Sequence, residues 1–262
     1  MTPVLVFDLE TVPDVAGLRR LKGYASDLSD DEVAVLAFAE REAKTGRDFM
    51  PHHLQRVVAI SCVFRDDDGV RVRSLGGPAD GEARLIGDFF RTVEKYTPQL
   101  VSWNGSGFDL PVLHYRALLH GLASPRYWDT GEDDRDFKWN NYLSRYHARH
   151  CDLMDVLAGF QTRASAPLDE LAKLCGFPGK LGMDGSQVWT SFQAGGIDQI
   201  RAYCETDVMN TWLLYCRFQL IRGSFSQAHY NSEIALAREM LGARCEAHWH
   251  QYLAAWPTSD AC

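Results

Sequence analysis

Apolar positions along this chain alternate between short continuous runs and stretches with helical spacing. Val4 to Phe7 is a brief apolar run that ends in Asp8-Leu9-Glu10-Thr11, as a buried strand would when delivering acids to a cleft. Val57 to Phe64 and Val70 to Leu75 predict two strands joined by a polar turn at Asp66-Asp67-Asp68-Gly69. Leu100 to Trp103 predicts a fourth strand, and Arg149 to Asp152 a short fifth one that feeds a helix through Phe160. Leu85, Ile86, Phe89, Phe90 and Val93 mark one face of a helix over Glu82 to Tyr96. Further helices are predicted at Asp109 to His120 (stopped by Gly121), at Leu168 to Cys175 (stopped by Gly176) and at Ile197 to Ile221. In the last of these Ile200, Cys204, Val208, Trp212 and Tyr215 form the apolar stripe. A final helical segment runs from about Gln227 to Trp256.

Three strands before the first long helix, then alternating strands and helices, imply an α/β fold with a mixed sheet flanked by helices. Residues 1–222 read as one domain, and 223–262 as a helical extension packed on it. The polar stretch 22–50 reads as an insertion, with a helix from Asp30 as N-cap to Lys44, stopped by Pro51.

No apolar run approaches 18 residues and the chain enters a strand without a basic leader, so neither membrane insertion nor secretion is expected. Seven cysteines, an odd number with no C-x-x-C pair, suit reduced thiols and a cytoplasmic location. Against 35 acidic residues stand 27 basic ones, a formal net charge of −8. That balance excludes a protein that coats nucleic acid by charge alone, but not a nuclease whose acids are offset by cations.

Three separated motifs carry the chemistry. Asp8 and Glu10 are two apart on a strand, so both side chains leave one face. Asp109 begins a helix after the glycine-rich turn Trp103-Asn104-Gly105-Ser106-Gly107-Phe108. Tyr203 and Asp207 are four apart on a helix and stack on one side of it. Carboxylates gathered without basic residues inside their motifs suit Mg²⁺ or Mn²⁺, which take oxygen ligands. Singly, each acid is more often a cap or a turn residue. The ordered set D-x-E, N-x₃-F-D and Y-x₃-D, each on a fitting element, is far rarer.

These residues resemble the DEDD superfamily of 3′–5′ exonucleases, in its tyrosine-type branch, whose fold is ribonuclease H-like. Stand-alone proteins similar to the proofreading exonuclease domain of family B DNA polymerases are the nearest comparison, over residues 3 to 220. The segments Cys151-Asp152-Leu153-Met154-Asp155-Val156-Leu157 and Pro178 to Trp189 carry the likeness further. The resemblance implies that Asp8, Glu10, Asp109 and Asp207 hold two Mg²⁺ or Mn²⁺ ions, with Tyr203 orienting the attacking water. It implies removal of nucleoside 5′-monophosphates from the free 3′ end of a single strand, DNA ahead of RNA. Leu9, Thr11, Asn104 and Phe108 are the implied terminal-nucleotide contacts.

Other residues keep two readings. Asp152 is either a helix N-cap or a support behind the ligands. Lys180 either neutralises a phosphate or is a plain surface lysine. Between residues 135 and 149, Arg135, Lys138, Trp139, Tyr142, Arg145, Tyr146 and Arg149 form either a strand-guiding surface or an inward-packed amphipathic helix. His147, His150 and Cys151 lack the second half of a zinc site, and His248 and His250 have no evident role. A ribonuclease H-type endonuclease or resolvase, and a non-catalytic nucleic-acid-binding protein with a relic site, are the competing functions.

Overall fold

The computed structural model describes residues 2–257, so Cys262 lies outside the described residues. Strand β1 (Val4–Pro13) is central and its neighbours give the order β3-β2-β1-β4-β5. β2 (Gln55–Asp66) pairs antiparallel with β1 and with β3 (Gly69–Ser74). β4 (Gln99–Ser102) and β5 (His150–Asp152) are parallel additions on the other side. The mixed sheet flanked by helices is as the sequence predicted.

β1 differs from its expectation: it does not stop at Phe7 but continues to Pro13, so the acids lie inside the strand. The cleft exists because the neighbour stops. β4 pairs with β1 only from Val4 to Val6, leaving the later part of β1 open on that edge.

The two faces of β1 have different partners. Leu5, Phe7 and Leu9 pack with Phe89 and Phe90 of α3 (Glu82–Tyr96) and Leu113 of α4 (Asp109–His120). Val4 and Val6 pack with Val208, Met209 and Trp212 of α9 (Ile197–Ile221), and Val12 with Ile200 and Cys204 of the same helix. Asp8 and Glu10 therefore interrupt an otherwise apolar face covered by α9. α4 is further tied down by Arg116, whose buried guanidinium lies 2.5 Å from both Asp14 and Glu82.

Several boundaries needed correction. A helix not foreseen, α1 (Val15–Lys22), precedes α2 (Asp30–Thr45). The N-cap of α2 is Ser29, not Asp30, because Ser29 and Glu32 exchange capping-box bonds. The helix after β5, α6 (Leu153–Leu157), ends before Phe160, which sits at φ +61°. The last segment is two helices, α10 (Gln227–Gly242) and α11 (Ala247–Ala255), and both pack on α9 through Ala237, Leu241, Trp249 and Tyr252. Residues 135–149 form no amphipathic helix: only Arg135–Lys138 makes a short 3₁₀ turn. Among the described residues no helix is long and apolar enough to cross a membrane.

Candidate active site

Asp8 and Glu10 project from β1 toward Tyr203, Cys204 and Asp207 of α9, which share a helix face at spacings of one, three and four. One ligand atom each of Asp8, Glu10 and Cys204 lies within 4.8 Å of the others. The Cys204 thiol donates to the Asp8 carboxylate at 3.5 Å. Asp109, the first residue of α4, accepts from the Leu9 N–H at 3.1 Å and so fills the edge that β4 leaves open.

Crowding these acids has a clear electrostatic signature. Burial raises Asp8 and Glu10 well above the carboxylate range, and their neighbours raise them further: Asp109 and Asp207 for Asp8, Asp8 and Asp207 for Glu10. Burial pushes Asp109 up to about 7. Asp207 is also raised by burial, although Lys180 opposes the shift. The Lys180 ammonium lies 2.8 Å from Asp207 Oδ2 and donates to the Tyr203 hydroxyl at 2.5 Å. Asp207 Oδ1 is buried without any partner. An unpartnered carboxylate oxygen in a cage of raised acids is the donor set a hard divalent cation requires, so the residues fit the metals that the sequence implied. Burial, with Asp207, Glu10 and Asp8, raises the Tyr203 phenol far above its ordinary value, so it is a neutral hydroxyl.

Asp152 is the N-cap of α6, and it also grips the turn before α4. One oxygen caps α6 through the Asp155 N–H, and the pair accepts from the N–H groups of Asn104 and Ser106 at 2.9 and 2.8 Å. It holds the turn that delivers Asp109. A Cβ on Gly105 in that turn would overlap the Ser102 hydroxyl, so any larger residue there forces a shift.

Beside Glu10 opens a cavity of about 650 Å³ lined by Leu9, Thr11, Asn104 and Phe108, all four expected nucleotide contacts. Leu9 is largely buried in the core, and Thr11 donates to Gln55 at 3.0 Å. Phe49, His52 and Trp189 also line it, with Phe49 and His52 ring centroids 5.5 and 5.7 Å from that of Phe108. Sequence reasoning missed these three, and for Phe49 no pattern announced them. The sequence places Cys204 in the apolar stripe, and its position three residues before Asp207 also puts it on the helix face that meets Asp8.

A family model described as a predicted 3′–5′ exonuclease related to the exonuclease domain of PolB matches residues 47–256. The chain belongs to this family. The match includes Asp109, Tyr203 and Asp207, while Asp8 and Glu10 precede it and are joined to them by the fold. Among solved structures, the family B DNA polymerase of the hyperthermophilic archaeon Pyrobaculum calidifontis is similar, with a TM-score of 0.50 and 19% identity. That likeness concerns the fold; it covers 92% of this chain and 28% of the polymerase. No curated protein matches the chain.

Other candidates fall elsewhere. His150 is buried against Ser102 Oγ at 2.8 Å, and Cys151 lies in the core. Tyr142 and Arg149 turn inward, Tyr142 bonding the Pro98 carbonyl and Arg149 that of Asn140. Trp139 and Tyr146 are exposed, each beside a cation, Lys138 and Arg145. His250 bonds the Arg244 carbonyl, whereas His248 bonds Glu205 on α9.

Proposed function

We propose that this chain is a divalent-metal-dependent 3′–5′ exonuclease that releases nucleoside 5′-monophosphates from single-stranded nucleic acid. DNA is taken ahead of RNA because the family is described as related to PolB. The observation that supports the reading is the approach of Asp8 and Glu10 of β1 to the Tyr203–Asp207 face of α9, with Asp109 bonded to the Leu9 N–H between the two β1 acids.

Asp8, Glu10, Asp109 and Asp207 are the residues to hold two Mg²⁺ or Mn²⁺ ions. Such ions, when bound, supply Lewis acidity and charge neutralisation at phosphorus. Tyr203, kept protonated by its acidic surroundings, orients the attacking water through its hydroxyl rather than removing a proton. Two divalent ions balance four carboxylates, which leaves the Lys180 ammonium to pair with the scissile phosphate. Phe108 and Phe49 offer faces for the terminal base, a contact that is tolerant of base identity. Thr11, Asn104 and Leu9 line the same cavity around the terminal sugar and base. The exposed pairs Lys138–Trp139 and Arg145–Tyr146 are suited to guide the incoming strand.

The test is incubation of a 5′-labelled single strand with Mn²⁺. A ladder that shortens from the 3′ end supports the reading. Cleavage of a circular single strand would favour an endonuclease, and failure to bind Mn²⁺ in calorimetry would point to a relic site.

A further inference from the structure

Lys180 stands on an irregular loop, yet its ammonium is held against two catalytic groups. What holds the loop lies outside the carboxylate cage. Asn210 follows Asp207 by three residues on α9, so Tyr203, Asp207 and Asn210 occupy one helix face. The Asn210 side chain treats the Gly179 peptide as a strand would: Nδ2 donates to the Gly179 carbonyl at 2.9 Å, and Oδ1 accepts from its N–H at 3.2 Å. Oδ1 also accepts from the Tyr252 hydroxyl of α11 at 2.7 Å. Asn210 and Tyr252 are both fully buried.

The loop has two further constraints. The Lys180 N–H donates to Asp169 Oδ1 at 2.7 Å, and Gly179 adopts φ +73°. A Cβ on Gly179 would come within 2.5 Å of that same Asp169 oxygen. α11 also grips α9 at a second point, where His248 meets Glu205 at 3.1 Å while Glu205 accepts from Ser74 of β3. The C-terminal helix thus fastens α9 on both sides of Asp207.

We propose that Asn210, locked by Tyr252, is a positioning residue that fixes Lys180 against Asp207 and Tyr203. The C-terminal helix thereby becomes part of the catalytic apparatus. The proposal rests on the exonuclease reading for its kinetic consequence, but not for its structural one.

The full chain carries both tests. Tyr252→Phe removes one hydroxyl and keeps the packing. Amide hydrogen exchange should quicken severalfold over residues 179–182 while α9 keeps its protection, and Asn210→Ala should enlarge the effect. On 5′-labelled single-stranded DNA with Mn²⁺, Tyr252→Phe should lower kcat about 10-fold and Asn210→Ala about 10²-fold, as a displaced active group does. In a Lys180→Met background neither change should cost anything further. Wild-type exchange at 179–182 in both variants, or losses that simply add to that of Lys180→Met, would overturn the proposal. If the parent protein hydrolyses nothing, the exonuclease reading falls, and the exchange result alone decides the relay.

Discussion

Lys180 Nζ lies 2.8 Å from Oδ2 of Asp207, while Oδ1 of the same carboxylate is buried and unpartnered. In the proposed site one cation thus competes for a carboxylate that would also ligate metal. Lys180→Met should therefore tighten Mn²⁺ binding, by about tenfold if ~1.4 kcal/mol of competition is relieved. The same change should slow hydrolysis, because the phosphate loses its positive partner. Calorimetric titration beside single-turnover rates separates the two effects; weaker Mn²⁺ binding would contradict the competition.

Stability in the absence of metal should fall with rising pH. Asp109 at about 7, and Asp8 and Glu10 above the usual range through burial and mutual repulsion, hold protons more tightly folded than unfolded. Their contribution is complete at low pH and is lost as pH climbs through those folded values. His114 and His150, both lowered by burial to about 4, act in the opposite sense, but only below their unfolded value near about 6.5. Between roughly pH 6.5 and 8 the melting temperature in EDTA should drop, and Mn²⁺ should restore it. A level midpoint in EDTA across that window would sink the idea.

Asp8→Asn should remove hydrolysis yet raise the melting temperature of the metal-free protein at pH 8. The substitution deletes a charge from the repelling cage and keeps an oxygen for the Cys204 thiol. A gain of 1 kcal/mol corresponds to about 2–4 °C for a chain of this size. Tyr203→Phe should lower the rate about 10²-fold through loss of water positioning, and an unchanged rate would remove Tyr203 from the mechanism.

Asp152→Ala should impair catalysis through the turn that carries Asp109, although Asp152 itself is not one of the four acids. It strands the N–H groups of Asn104 and Ser106, at about 1–3 kcal/mol for each left buried, and frees the turn that places Asp109. Gly105→Ala should act similarly by overpacking against Ser102, at about 1–3 kcal/mol. Chemical denaturation and kcat measured together check both; a stable, fully active Asp152→Ala protein would refute the linkage.

Phe108→Ala should raise KM more than it lowers kcat, since stacking on a base contributes about 1–3 kcal/mol. Phe49→Ala should behave in the same direction if both rings border one base. A fall in kcat alone, with KM unmoved, would assign Phe108 to packing instead.

Much of this arrangement could be read locally. The D-x-E spacing at Asp8 and Glu10 already marks two acids leaving one face of a strand, and α3, α4 and α9 begin and end where periodicity and caps predict. Asp109, Tyr203 and Asp207 were legible for the same reason: each motif carries its spacing and its element within a few residues. The extension of β1 was not legible, because whether a strand continues past its charged residues depends on a partner, and β2 supplies it through Pro13↔Gln55. Lys180 was ambiguous because irregular loops have no period from which a direction follows.

Side-chain direction within a helix or strand follows from a repeat of 3.6 or 2, so the facing of the five candidate residues was contained in the chain itself. Distances between elements follow from no such repeat. They come from how the sheet, α4, α9 and α11 pack together, and that packing alone brought Lys180 to Asp207, Phe49 to Phe108, and Tyr252 to Asn210.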